Sequence, residues 1–150
     1  PVEGDIVEYR EVLLDGLGYG EVKERVDFSQ GDACNLKPKF TDYNLVFAGN
    51  LIDRLYDPEM FLDEIQGRIV TGGLLVLTSP YTWLEEYTLK DNWLGGTKVN
   101  GENLSTLDAL RQNLGSGFEF QEAVDVPFVI RETARKYQHS IAQMSIWRKL

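Results

Sequence analysis

Two apolar runs joined by a helix-like stretch constrain this chain more than any other feature. They lie in residues 43–58 (YNLVFAGNLIDRLYDP) and 72–83 (GGLLVLTSPYTW), and each run ends abruptly in small or polar residues. A short strand that is apolar throughout is typical of a parallel sheet with both faces covered. In open α/β sheets, ligands bind beyond the carboxyl ends of the strands. The two segments therefore predict an α/β domain and one flank of a nucleotide-cofactor site.

The stretch between these runs predicts a helix. Pro58 suits a first helical position, and apolar residues recur at helical spacing as far as Ile69. We expect the helix to extend to about Ile69 and to end at the glycines of residues 71–73. The flanking strands are then expected at residues 45–48 and 74–77.

Patterns elsewhere predict further elements. A brief strand is expected at residues 26–29, and a helix at residues 104–114 with Ser105 or Thr106 as its N-cap. Residues 118–128 and 139–147 are expected to pair as a terminal antiparallel hairpin. Residues 6–14 fit a strand or a helical turn equally, and residues 81–103 predict a long aromatic loop.

Composition excludes several classes of function. The 150 residues carry 24 acidic and 15 basic side chains, a net charge of -9, which opposes binding to nucleic acid. No apolar run approaches the ~18–20 residues that span a bilayer, so a membrane partner is not expected. Cys34 is the only cysteine and has no disulfide partner, which favours a reducing compartment, by default the cytoplasm, or indifference to redox conditions. The chain begins at Pro1 in a polar stretch, and we expect it to be a fragment.

The glycine cluster VLLDGLGYG resembles a cofactor turn in composition, but its spacing favours a surface turn. Better candidates for cofactor binding follow the predicted strands. Asp32 offers a carboxylate to an exocyclic amine, with Ala33 beside it, although an Asx turn is an equal interpretation. Cys34 lies close enough to border a ligand or to be an inert, half-buried thiol. Residues 48–50 (Ala48, Gly49, Asn50) combine close backbone approach with an amide side chain, or simply form a strand-to-helix turn.

Other polar residues have weaker signals. Arg131 and Arg135 are able to hold the carboxylate of an amino-acid substrate, or to form a solvated hairpin tip. Asp53 and Arg54 are expected to form an exposed ion pair of small value. His139 is the only histidine and has no ligand cluster or nucleophile at a suitable spacing, so neither a metal site nor a catalytic residue is assigned.

Five stretches resemble one family closely. GDACNLKP, DYNLVFAGNLIDRLYDP, GGLLVLTSPYTWLEE, NWLGG and DVPFVIRETARKYQHSIAQMSIWR are similar to the C-terminal methyltransferase domain of the bifunctional ovothiol-synthesising enzymes. The similarity extends over nearly the whole chain from Val26. More broadly, the pattern resembles class I S-adenosylmethionine-dependent methyltransferases, which have a Rossmann-like sheet of strand order 3-2-1-4-5-7-6 and an antiparallel seventh strand.

This resemblance implies a function. S-adenosylmethionine is the implied cofactor, and the implied reaction transfers its methyl group to an imidazole nitrogen of a thiohistidine. Asp32 and Ala33 align with the family's adenine contacts, and residues 48–50 with the loop that borders the methionine end. No catalytic base is implied. Aromatic residues of the long loop are expected to cover the site and contact the substrate, or to form a packed lid without ligand contact: Tyr81, Trp83 and Trp93.

The resemblance also implies that the sheet is incomplete. The family's glycine-rich motif and acidic ribose ligand belong to strands one and two, which have no counterpart in this chain. We therefore expect a single partial domain, inactive alone, whose partner is the upstream portion of the same polypeptide. Self-association through the incomplete sheet is the other way to cover the gap. Two further readings stay open: a noncatalytic interaction module, and a methyltransferase with another small-molecule acceptor.

Overall fold

The computed structural model describes residues 1–150, and its main feature is a four-stranded mixed sheet. In chain order the regular elements are β1 (Tyr43–Gly49), α1 (Pro58–Gln66), β2 (Ile69–Ser79), β3 (Thr97–Val99), β4 (Glu102–Leu104), α2 (Thr106–Leu114), β5 (Phe118–Arg131) and β6 (Tyr137–Lys149). The sheet order is β1-β2-β6-β5, and β3 and β4 form a separate hairpin. Strand β1 is parallel to β2, whereas β6 is antiparallel to β2. The terminal hairpin is therefore confirmed. None of the helices is both long and apolar enough to cross a bilayer.

Helix α1 begins as its sequence predicts. The carboxylate of the N-cap Asp57 accepts a hydrogen bond from the Met60 backbone N–H at 2.9 Å, and Pro58 occupies the first helical position. The expected extension to Ile69 is wrong, because the helix ends at Gln66 and Ile69 opens β2. Gly72 has φ +81° inside β2, where the pairing register with β1 shifts between Tyr43 and Leu45. The glycines that resemble a helix end in the sequence instead form a bulge within strand β2.

Helix α2 is capped by Ser105, whose hydroxyl accepts a hydrogen bond from the Asp108 backbone N–H at 3.2 Å. Leu110 and Leu114 of this helix are 0% exposed. They belong to one core cluster with α1 residues and with alternate residues of the sheet, among them Leu75, Leu77 and Trp147. Both α-helices therefore contribute to a core on one face of the sheet.

The other face of the sheet is more open than expected for a doubly covered sheet. Leu45 and Phe47 of β1 are 56% and 63% exposed. Strand β1 is also the end of the sheet, since it pairs with β2 alone. Its free edge carries neither proline nor lysine, the usual protection of an edge strand.

Two compact units make up the chain: residues 1–31 with 129–139, and residues 32–128 with 140–150. The first unit has short 3₁₀ helices at Asp15–Leu17 and Gly20–Arg25 and no strand at residues 26–29. The strand expected there is wrong, and the Phe28 side chain is 96% exposed. Two polar residues interrupt this short apolar stretch (VDFS), which leaves too few apolar positions to anchor a strand. The glycine cluster forms exposed turns, with Gly18 at φ +79°.

Candidate functional site

Two of the four non-glycine residues with positive φ lie at the carboxyl ends of the parallel strands β1 and β2. Asn50 follows β1 with φ +51°, and Tyr81 lies two residues beyond β2 with φ +53°. Left-handed backbone is costly for a non-glycine residue, and for a tyrosine in particular. Such residues cluster at functional sites, where the surrounding structure holds them in place. The structure thus brings two sequence-predicted site residues to one edge of the sheet.

Hydrogen bonds fix both of these residues. The Asn50 N–H donates to the Thr78 carbonyl at 2.8 Å, and the Thr78 hydroxyl donates to Asn50 Oδ1 at 3.2 Å. The Tyr81 N–H donates to Ser79 Oγ at 3.0 Å, and its hydroxyl donates to Gln143 Oε1 on β6 at 3.0 Å. Burial raises the pKa of Tyr81 to about 12, with the nearby Asp53 carboxylate adding to the shift. The phenol is therefore a neutral hydrogen-bond donor at neutral pH.

Asp53 is the part of this edge that the sequence did not predict. Its carboxylate is not exposed: Oδ1 accepts from Ser79 Oγ at 2.9 Å, and Oδ2 accepts from the Thr82 N–H at 3.1 Å and the Thr82 hydroxyl at 3.0 Å. Arg54 pairs with it at 2.9 Å. The expectation of an exposed ion pair is wrong, because Asp53 ties the segment after β1 to the loop after β2. The signal was present in the sequence as serine and threonine just after the second apolar run.

Asp32 lies in a turn of its own. Its Oδ1 accepts a hydrogen bond from the Cys34 N–H at 2.9 Å, as in an Asx turn, and its Oδ2 accepts from the Tyr56 hydroxyl at 3.1 Å. Partial desolvation and the Asp32 carboxylate raise the pKa of Tyr56 to about 12. A carboxylate has about four acceptor positions, and two are in use here. Asp32 is exposed and keeps acceptor capacity for a further donor.

The residues that follow Asp32 are less accessible than Asp32 itself. Ala33 is half-buried beside it. Cys34 is 3% exposed and belongs to the core, and its thiol donates to the Asp57 carbonyl at 3.1 Å. Burial raises the pKa of Cys34, so its thiol is protonated and unreactive at neutral pH. Ala48 is 3% exposed, so within residues 48–50 it is Gly49 and Asn50 that are accessible.

The aromatic segment is a packed layer rather than the long loop expected from the sequence. It contains a 3₁₀ helix at Lys90–Asn92 and the β3–β4 hairpin. Trp83 is 8% exposed and donates its indole N–H to Thr106 Oγ1 at 3.0 Å. Trp93 stacks against it with ring centroids 6.3 Å apart and donates its own N–H to the Thr88 carbonyl. Trp83 is thus a core residue, while Trp93 remains partly accessible.

Arg131 and Arg135 lie in the first unit, at the tip of the β5–β6 hairpin. The Arg131 Nε–H donates to the Thr133 carbonyl at 3.0 Å, and the Arg135 backbone N–H donates to Thr133 Oγ1 at 3.2 Å. These contacts stabilise the hairpin turn. A role of these arginines in substrate binding stays a prediction.

No group of three or more His, Cys, Asp or Glu side chains is arranged to hold a metal ion. His139 is exposed.

Comparison with known proteins identifies the fold. No protein-family model matches the chain, and no curated protein sequence is significantly similar to it. Solved structures are similar, however. The N-methyltransferase NodS from Bradyrhizobium japonicum, in complex with S-adenosyl-L-homocysteine, has a TM-score of 0.52 at 14% identity over 93% of this chain and 64% of that one.

Two further structures agree. The [4+2]-cyclase SpnF has a TM-score of 0.55 at 16% identity, covering 91% of this chain and 61% of that one. A putative S-adenosylmethionine-dependent methyltransferase from Listeria monocytogenes has a TM-score of 0.54 at 13% identity, covering 89% and 75%. The chain spans less than two thirds of the length of NodS and SpnF. It therefore has the Rossmann-like methyltransferase fold with an antiparallel C-terminal hairpin, which confirms the predicted fold class.

Proposed function

We propose that this chain is a portion of an S-adenosylmethionine-dependent N-methyltransferase that acts on the imidazole of a thiohistidine in ovothiol biosynthesis. The observation that carries the proposal is the pair of left-handed residues, Asn50 and Tyr81, at the carboxyl edge of a methyltransferase fold. NodS, which shares the fold, is an N-methyltransferase in complex with S-adenosyl-L-homocysteine. The thiohistidine acceptor rests on the sequence resemblance described above.

Residues of the second unit fit the cofactor. Asp32 has free acceptor positions for the exocyclic amine of adenine, and Ala33 lies next to it. The accessible backbone of Gly49 and Asn50 suits the methionine end of the molecule. Cys34 and Ala48 would support these contacts from the core, since both are 3% exposed. When bound, S-adenosylmethionine supplies a methyl group already activated by the positive sulfonium.

The chain's own role in catalysis is positional. An imidazole nitrogen has a lone pair and needs no deprotonation before it accepts a methyl group; the sulfonium would leave as a neutral thioether, and the ring N–H proton would pass to water. No catalytic base is assigned for this reason. Holding the reactants in line and excluding water contributes up to about 7–11 kcal/mol in well-oriented systems. Tyr81 and Trp93 are proposed to border the acceptor, with the buried Trp83 packed against Trp93, and their hydrogen bonds hold all three rings in one orientation.

The partner of this chain is proposed to be the upstream portion of the same polypeptide. Strand β1 ends the sheet with an unprotected edge, and Leu45 and Phe47 are more than half exposed beside it. A strand added to this edge would pair its free backbone N–H and C=O groups. Without that addition we expect a single partial domain with weak cofactor affinity and no activity. The lone cysteine and acidic charge are consistent with a cytoplasmic protein that binds neither nucleic acid nor membrane.

A second candidate is a noncatalytic interaction module. The same exposed β1 edge favours it, since an edge strand recruits a second copy or another protein by strand addition. The fold does not decide between these functions, and SpnF is described as a cyclase on a similar fold.

Calorimetry separates the candidates. S-adenosylmethionine is titrated into this chain and into a polypeptide extended by about a hundred residues ahead of Pro1, a typical domain length. We expect binding by the extended polypeptide, loss of that binding in its Asp32→Ala variant, and little binding by this chain. Binding by neither polypeptide would contradict the enzyme function. The acceptor is identified by testing methyl transfer from the extended polypeptide to thiohistidine and, beside it, to plain histidine. If the extended polypeptide binds the cofactor but methylates neither compound, the acceptor is another small molecule.

A further inference from the structure

A cavity of about 680 Å³ lies between the 3₁₀ helix Lys90–Asn92 and the β3–β4 hairpin. Its volume falls within the ~300–1,000 Å³ typical of small-molecule sites. The residues that line it are Lys90, Trp93, Gly96, Thr97, Lys98, Asn103, Leu104 and Ser105. All of these residues belong to the second unit.

The charge of this cavity is opposite to that of the chain. Two lysines line it and no acidic residue does, although acidic side chains outnumber basic ones by 24 to 15 overall. Neither Lys90 nor Lys98 takes part in any of the chain's ion pairs. The Asp108 carboxylate contacts the lining: it accepts from Ser105 Oγ at 2.6 Å and is paired with Arg111 at 3.2 Å. Neither ammonium group is paired with a carboxylate, and the Lys90 ammonium lies over the Trp93 ring, 5.9 Å from its centroid.

One wall of the cavity is aromatic and held in place. Trp93 stacks on the buried Trp83, and its indole N–H is satisfied by the Thr88 carbonyl at 2.9 Å. The ring is thus fixed before any ligand binds, which lowers the entropic cost of binding. Asn103 and Ser105 add polar groups to the same cavity.

Hydrogen bonds link the 3₁₀ helix beside the cavity to the candidate cofactor contact Asp32. The side-chain amide of Asn92 donates to the Tyr56 carbonyl at 3.0 Å, and the Tyr56 hydroxyl donates to Asp32 at 3.1 Å.

From these observations we propose that the cavity binds a small molecule that combines a flat ring with a carboxylate, the ring against Trp93 and the carboxylate between Lys90 and Lys98. An amino acid with a heteroaromatic ring has this chemistry, so the identification of the cavity as the site of the methyl acceptor rests on the proposed function. The binding of such a molecule in the cavity does not depend on that function.

The test uses benzoate as the probe and the uncharged benzamide as its matched control. Binding to this chain is followed by calorimetry and by the NMR signal of the Trp93 indole N–H. We expect benzoate to bind more tightly than benzamide and to shift the Trp93 signal. Lys90→Gln and Lys98→Gln should each weaken benzoate binding about two- to fivefold, as for exposed ion pairs, and added salt should weaken it further. Lys37→Gln, an exposed lysine outside the cavity, should leave it unchanged.

Equal binding of benzoate and benzamide, or an equal effect of Lys37→Gln, would overturn the proposal. The result is separable from the cofactor titration. Benzoate binding without any S-adenosylmethionine binding by the extended polypeptide would reject the methyltransferase function and keep the cavity. Cofactor binding without benzoate binding would reject the proposed cavity site and keep the methyltransferase function.

Discussion

Residues 1–31 and the unit that follows them differ in what they do with similar apolar side chains. All the members of the main core cluster lie between Cys34 and Trp147. Residues 1–31 contribute none, and ten of their large apolar side chains are between 49% and 96% exposed. Hydrophobic content alone therefore does not build a core. The apolar residues must also fall on one face of an element that has a defined start and end.

The sequence of each region explains the difference. In residues 58–66 the apolar side chains recur at helical spacing behind a capping Asp57, so α1 buries Phe61, Leu62 and Ile65 together. In residues 6–14 the apolar side chains occur at helical and at strand spacing, and glycines follow at positions 16, 18 and 20. No single face collects them, and this segment forms neither helix nor strand.

The largest expected effect comes from cutting into the core. Leu110→Ala removes a side chain that is 0% exposed and should lower the free energy of unfolding by about 2–5 kcal/mol. Leu13→Ala makes the same chemical change at a side chain that is 65% exposed, and we expect a change within about 0.5 kcal/mol. Urea unfolding followed by tryptophan fluorescence measures both. A comparable loss of unfolding free energy in the two variants would show that Leu13 is packed as tightly as Leu110.

A smaller loss is expected at the edge of the sheet. Asp53→Ala leaves Ser79 Oγ and the Thr82 N–H without their acceptor and should cost about 2 kcal/mol, since unpaired buried donors are expensive. Asp53→Asn keeps one acceptor oxygen and should cost less. Asp27→Ala, an exposed carboxylate in residues 1–31, is the matched control and should have almost no effect. Thermal unfolding gives the order, and an equal shift for Asp27→Ala would contradict it.

The regular elements of the second unit were largely predictable from sequence, because each depends on local signals. The strand, helix and strand of residues 43–79, the Ser105 cap and the terminal hairpin all follow from periodicity and capping residues. The boundary at Ile69 was not, because Ile65 and Ile69 have helical spacing although a turn at Gly67 separates α1 from β2.

The site was predictable only in part. Asn50 was predicted because it follows a strand and Tyr81 because it belongs to an aromatic segment, whereas the contacts of Asp53 are made 26 and 29 residues away along the chain. The β3–β4 hairpin was missed although Asn100–Gly101 is its strongest signal: both residues have positive φ, +53° and +87°, as a type I′ turn requires. Lys90 and Lys98 both line the cavity beside this hairpin. No pattern of charges in the sequence indicates that they share a site.

That turn gives the third prediction. Asn100→Ala places an alanine in left-handed backbone and should lower the stability of the second unit by about 1 kcal/mol. Gly18→Ala also places an alanine in left-handed backbone, at φ +79°, but in an exposed turn of residues 1–31. If that segment does not share the cooperative core, Gly18→Ala should leave the thermal midpoint unchanged. Equal shifts in calorimetric scans would place the two turns in one cooperative unit.

The smallest expected effect is the dependence of stability on pH. Hydrogen bonds from Ser105 and then Arg111 hold the pKa of Asp108 below its usual value, and the Arg10 guanidinium does the same for Glu8 in residues 1–31. A depressed carboxyl pKa stabilises the folded state above the unfolded value of about 4, and this contribution is lost as the pH falls through the folded value. The Asp108 carboxylate, in the first turn of α2, accepts a hydrogen bond from the N-cap Ser105, so Asp108→Asn should lower the thermal midpoint at pH 7 and flatten its decline between about pH 5 and pH 3. Glu8→Gln should change neither, because Glu8 pairs only with an exposed arginine two residues away. A flattened decline in Glu8→Gln would show that the exposed N-terminal segment is thermodynamically coupled to the core after all.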